Sequence, residues 1–96
     1  MIIARVTGTV VATAKEPKLE GMKMLLLQPT DASGQTAKGS PVVAIDAVGA
    51  GLHDLVLYAA GSSARQTEMT KDRPVDAVIM AIVDQLEVEG QLKYVK

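Results

Sequence analysis

The stretch "IIARVTGTVVAT", Ile2 to Thr13, decides how the rest of this chain is read. Ile2, Ala4, Val6, Gly8, Val10 and Ala12 fall on one side of a two-residue repeat, while Arg5, Thr7, Thr9 and Thr13 fall on the other. That alternation predicts a β-strand with one buried face, Val10 pointing inward. At about 3.3 Å per residue, a straight strand of this length would reach roughly 40 Å, too far for a small domain. The strand is therefore expected to bend, and Gly8, with no side chain in the way, is the place for it. Long, bent first strands belong to small β-barrels.

Working outward, "KEPKLEGMK" from Lys15 to Lys23 is charged and carries Pro17 and Gly21, which predicts an exposed loop. A second strand follows as "KMLLLQP", and "TDASGQTAKGSP" then collects turn residues around a hairpin tip at Ser33-Gly34. Strands three and four are "VVAIDAV" and "DLVLYAA", joined by a turn from Gly49 to Asp54. Strands two to four are apolar on both faces, so the outer face is expected to meet something else, and another subunit is the natural candidate. Ser63 and Gln66 have capping-box spacing, which predicts a short helix over "SSARQTEM", with Ser62 or Ser63 as N-cap and "TKDRP" as its stop. "DAVIMAIVDQLEV", Asp76 to Val88, reads as a long fifth strand ended by Gly90, and "QLKYVK" as a terminal strand with a neighbouring copy as candidate partner. The fold class is thus all-β with one short helix: a five-stranded OB-like β-barrel in a single domain, residues 1–96, with a C-terminal tail from about 89 to 96. The helix falls after the fourth strand, whereas OB folds more often carry it after the third.

Composition narrows the function. A chain of 96 residues buries only about 60% of its unfolded surface, so stability is hard to reach alone and association would supply what is missing. The apolar residues are Val, Ile, Leu, Ala and Met, with no Phe or Trp and only Tyr58 and Tyr94, which suits a narrow β interior. Ten basic and eleven acidic residues leave a net charge of −1, so no field attracts nucleic acid or an anionic membrane. No cysteine is present, which excludes thiol chemistry and fits a cytoplasmic setting. The N-terminal stretch has no basic leader and is broken by Arg5 and several threonines, unlike a signal or membrane-spanning segment.

Sites of chemistry are looked for in vain. Gly49-Ala50-Gly51 leads into a strand, where a phosphate loop would need a helix that starts with Lys and Ser or Thr. Gly61-Ser62-Ser63 would need a histidine base and a carboxylate to act as a nucleophile elbow, and the one histidine, His53, sits in a turn and is expected to be solvated. Asp46, Asp54, Asp76 and Asp84 invite a paired-carboxylate reading, but an aromatic-lined cleft is missing. They are expected instead to cap turns or to pair with Arg5, Arg65 and Arg73 across subunits. The five methionines are core filler. An OB-type binding module for single strands would need aromatic platforms in a basic groove, and neither is present. No enzyme, cofactor or metal-ligand set emerges.

The order "VTGTVVATAKEPKLEGMKMLLLQP", then "VVAIDAVGAGLHDLVLYAAGSSARQ", then "DRPVDAVIMAIVD" resembles the EutN/CcmL family, the pentameric vertex proteins of bacterial microcompartment shells, from about Ile3 to Val88. The resemblance implies an OB-like barrel that assembles into a homopentamer among hexameric shell tiles and caps the corners of a polyhedral shell in the cytoplasm. It also implies a small central opening, whose candidate rim residues are Gly49, Ala50 and Gly51 or Ser62 and Ser63, and a subunit interface for which Arg65 is the candidate. "GSSARQ" and "GQLKYVK" look closer to the catabolic members, of the ethanolamine or propanediol type, with a carboxysome vertex protein as the alternative.

Overall fold

A computed structural model of the chain describes residues 1–13, 15–68, 70–73 and 75–96. Five strands make a closed barrel: β1 (Ile2–Val10), β2 (Met24–Pro29), β3 (Val42–Asp46), β4 (Leu55–Ala60) and β5 (Ala77–Ile82). Their order around the wall is β1-β2-β3-β5-β4, closing back onto β1. Every neighbouring pair is antiparallel except β3 and β5, which run parallel through Ile45 opposite Val78 and Asp46 opposite Ile79. Two further strands, β6 (Gln85–Val88) and β7 (Gln91–Val95), form a separate two-stranded hairpin. The expected five-stranded OB-like barrel is therefore present, with its helical turn between β4 and β5.

The interior is filled by Leu25, Leu27, Val6, Val56, Tyr58 and Ile79 set against alanines from three strands and a turn, Ala4, Ala44, Ala77 and Ala50. Mixing large and small side chains lets a five-stranded wall close without voids, since packing near crystal density leaves little slack. The wall bends where β1 carries an extra residue: Val6 faces Leu27, but the next pair is Gly8 with Leu26, so Thr7 has no partner in the ladder. The bulge lies beside Gly8, as the sequence suggests, and it reverses the alternation that follows. Past it, Thr9 stands opposite the buried Leu25, and Val10 stands opposite Met24 on the outer side. Val10 is half-buried and outside the core, which corrects its expected inward orientation.

The outer faces of β3, β4 and β5 are partly covered from within the chain. Ile45, Ala59 and Val78 pack with Ala64 and Val75 from the connection after β4, and Leu19, Met22 and Met24 close over them. Much of the two-sided apolar character is thus used internally, leaving Ile2, Val43 and Met80 as the wall residues with large exposed apolar surface.

Three further expectations are corrected. The turn after β4 is a five-residue 3-10 helix, Gly61–Arg65, with Ala60 as N-cap and no side-chain cap. Ser63 sits inside it and its hydroxyl donates back to the carbonyl of Ala60 at 2.7 Å, so the capping-box spacing goes unused. The expected helix end at Met69 and its stop at Pro74 lie outside the described residues. The long fifth strand is two strands: β5 ends at Ile82, and β6 leaves to pair with β7 instead of continuing along the barrel. Lastly, β7 finds its partner in its own chain. Glu89 (φ 50°) and Gly90 (φ 78°) both take left-handed conformations between the paired Val88 and Gln91, which is what a two-residue turn matching strand twist demands.

The Ser33-Gly34 tip is present. Asp31 accepts from the backbone N–H and the hydroxyl of Ser33, at 3.0 and 2.5 Å, and the hydroxyl bond draws its carboxyl below the usual range. Gly34 is buried at φ 75°, and a Cβ there would meet Leu55 Cδ2 at 2.9 Å. Only glycine fits both demands.

The register gives a direct contrast. Val6→Asp places a charge among fully buried side chains and is expected to cost about 3–5 kcal/mol, enough to unfold so small a domain. Val10→Asp is expected to stay folded with a melting transition close to the parent's. Thermal unfolding of both variants by circular dichroism checks the bulge, and an unfolded Val10→Asp with a folded Val6→Asp would contradict it.

Candidate assembly surfaces

Three of the residues that invited a catalytic reading are bound into the backbone turns. His53 is exposed at φ 72°, its N–H donating to the carbonyl of Val6 at 2.9 Å, so it serves as a turn residue. Asp46 is buried, and its Oδ1 accepts the N–H groups of Val48, Gly49 and Ala50 at 3.1, 3.0 and 3.2 Å. Asp54 Oδ2 accepts from Gly51 N–H at 2.9 Å. Two of the four aspartates therefore cap the turn between β3 and β4, from both sides. Among the described residues no three His, Cys, Asp or Glu side chains gather as a metal site would require.

Asp46 is the one buried charged residue among the described residues. Lys23 Nζ lies 3.8 Å from its Oδ2 and also donates to the carbonyl of Ala50 at 3.2 Å. The lysine side chain is more than half exposed, so the ion pair contributes little, and the three backbone N–H groups do most of the holding. Ala50 is thereby pressed into the barrel core at 1% exposure, while Gly49 and Gly51 remain exposed. Of the other rim candidates, Ser62 and Ser63 are both exposed in the 3-10 turn. No hydrogen bond among the described residues joins the 49–51 segment to the 61–65 segment.

Within one chain the arginines hold backbone carbonyls; the aspartate partners expected for them would belong to a neighbouring subunit. Arg5 donates to the carbonyls of His53 and Gly34, at 3.0 and 2.9 Å, and lies 5.4 Å from the ring centroid of Tyr94. Arg65 donates to the carbonyl of Val75 at 3.2 Å, and Arg73 to that of Lys18 at 2.6 Å. Each guanidinium has donors to spare, and Arg65 remains exposed. Lys18, Arg65 and Arg73 line one shallow groove with Glu16 and Asp72.

Two of the open apolar surfaces are lined by exposed strand residues. Ile2, Ala59, Ala60 and Met80 line a groove with Ser63 and Gln66, and Val43 with Leu19 and Val75 lines another beside Asp76. Met80 points out because it is the extra residue of a second bulge: Tyr58 faces Ile79 while Leu57 faces Ala81. Sequence reasoning missed Met80 and the β6–β7 hairpin as surface features. A bulge leaves no compositional mark, although Glu89-Gly90 is a legible turn signal.

Comparison with known proteins places these surfaces in context. The family described as ethanolamine utilisation protein EutN/carboxysome (EutN_CcmL) matches residues 1–84. The chain is 48% identical over 96 residues to the carboxysome shell vertex protein CcmL of Nostoc sp., covering 100% of this chain and 95% of that one. It is 44% identical over 90 residues to the bacterial microcompartment shell vertex protein PduN of Salmonella typhimurium, covering 90% of this chain and 98% of that one. The structure of Gloeobacter violaceus CcmL superposes with a TM-score of 0.93 at 47% identity, covering 100% of this chain and 98% of the other. GrpN of Rhodospirillum rubrum, described as a pentameric microcompartment shell protein, matches with a TM-score of 0.82 at 38% identity, covering 92% of this chain and 99% of GrpN. The carboxysome relative CcmL shares more of the chain than PduN does, so the catabolic leaning drawn from "GSSARQ" and "GQLKYVK" is not supported.

The Asp46 cap is separable by mutation. Asp46→Ala strands three backbone N–H groups, one of them buried, and is expected to cost about 2–4 kcal/mol. Asp46→Asn keeps an acceptor oxygen and is expected to lose about half as much or less. Urea unfolding of the two variants checks the order, and equal losses would show that charge, not hydrogen bonding, holds the turn.

Proposed function

We propose, from the premise that this chain belongs to the EutN/CcmL family, that five copies close into a ring and cap the vertices of a polyhedral microcompartment shell in the cytoplasm. The observation that carries this is the whole-chain correspondence of the barrel with a carboxysome vertex protein, with no segment left over. The carboxysome type is the favoured compartment on the same ground. The role is structural: Asp46, Asp54 and His53, three of the residues that chemistry would need, are spent on turns.

The physics supports a ring. A domain of this size gains stability by covering its open apolar wall residues, Ile2, Val43 and Met80, and they lie in two different grooves. Unlike patches that meet head to tail generate a closed ring when the rotation closes. Five-fold rings then do what hexagonal tiles cannot, since a hexagonal sheet stays flat until pentagons introduce curvature. Hexameric shell proteins are the neighbours this geometry calls for. If the ring leaves a central opening, the exposed Ser62 and Ser63, or Gly49 and Gly51, are the rim candidates, with Ala50 withdrawn into the core. Arg65, exposed and with donors to spare, is the candidate polar contact between subunits.

Native mass spectrometry at micromolar concentration is expected to give pentamers, and monomer alone would sink the ring. In the host, deletion is expected to leave shell tiles that form sheets or elongated tubes without closed corners, visible by electron microscopy. Enzymes enclosed in the shell are expected to keep their activity in lysate. Normally closed shells in a strain with no other vertex protein would show that the vertex role is wrong.

A further inference from the structure

The β6–β7 hairpin stands apart from the barrel, and the CcmL relatives span it as well. The family match ends at residue 84, where the hairpin begins at Gln85. The hairpin adds no strand to the barrel and touches it at separate points: Tyr94 against Arg5, Gln35 Nε2 donating to the carbonyl of Lys93 at 2.9 Å, and Lys96 Nζ 3.9 Å from Asp54 Oδ1. Leu86 adds one apolar contact, beside Gly34. A two-stranded hairpin is marginal by itself and gains from a second surface. Leu92 and Val95 stay more than half exposed on it.

Its turn is acidic. Glu87 and Glu89 are exposed, and no cation pairs with either among the described residues. Of the lysines on the hairpin, Lys93 donates to Gln91 Oε1 and Lys96 pairs with Asp54. The groove formed by Lys18, Arg65 and Arg73 has the opposite character. Its two arginines are held in place by backbone carbonyls, no carboxylate pairs with its three cations among the described residues, and one of its two acids, Glu16, is turned to the N–H of Lys18 at 2.6 Å. Among the described residues no hydrogen bond or ion pair joins hairpin and groove within one protomer.

We infer that the acidic turn of the β6–β7 hairpin in one protomer docks on the Lys18–Arg65–Arg73 groove of the next copy. This inference rests on the ring proposed above. Two unlike, oppositely charged surfaces on one chain satisfy each other in a head-to-tail neighbour, whereas pairing like with like would oppose equal charges.

The test is a charge swap in the full chain. Glu87→Lys with Glu89→Lys, and separately Arg65→Glu with Arg73→Glu, are each expected to slow reassembly of diluted rings by about tenfold and to flatten its salt dependence. All four substitutions in one chain are expected to restore both, because every contact then meets its complement. Thermal melting checks that each variant folds, and the hairpin pair alone decides if the arginine pair does not. Unchanged rates in the hairpin pair, or no recovery in the fourfold variant, would overturn the docking while pentamers seen by native mass spectrometry leave the ring standing. A parent chain that never forms rings would remove both.

Discussion

The barrel closes through a short seam. β3 and β5 meet in parallel over two residue pairs, Ile45 with Val78 and Asp46 with Ile79, and without them the sheet would be an open one with two exposed edges. Parallel strands cannot be joined by a tight turn, so the chain needs a long path from β3 to β5, and β4 with its following turn supplies it. The seam ends on Asp46, whose carboxylate gathers the next turn and drives Ala50 into the core. Closure of the wall and sealing of the interior therefore depend on one stretch, Ile45 to Ala50.

How far the sequence foretold this depends on whether the deciding force is local. The alternation of β1, its bend beside Gly8, the Ser33-Gly34 turn and the capping role of Asp46 and Asp54 are all set by a few neighbouring residues, and all were legible. What failed was set at a distance. The bulge at Thr7 moves Val10 to the other face, and nothing in the residue types announces it. The run from Asp76 to Val88 keeps strand-forming composition throughout, yet Val83 donates to the carbonyl of Leu55 and the chain then turns away from the barrel. Ser63 and Gln66 had the spacing of a cap, but the wall permitted only a tight 3-10 turn over Ala64.

The surfaces were harder still. Apolar outer faces on three strands read as an interface in full, and the chain's own connections take up part of them with Leu19, Met22, Ala64 and Val75. Sequence cannot distinguish cover supplied by a later loop from cover supplied by another copy, because both demand the same residue types. The arginines behaved similarly: within the chain they hold carbonyl oxygens, with donors left over for the acidic partners expected from another copy.

A consequence follows for spectroscopy from the placing of the two tyrosines. With no tryptophan, they are the only aromatic chromophores apart from His53, and they divide the molecule between them. Tyr58 is buried in the barrel, where the loss of water pushes its phenol above the usual value, and Tyr94 lies against Arg5 on the hairpin. Near-ultraviolet dichroism and tyrosine emission thus carry one signal from the wall and one from the arm. A single Tyr→Phe change isolates either, so detachment of the hairpin and collapse of the barrel can be timed separately in the same unlabelled molecule.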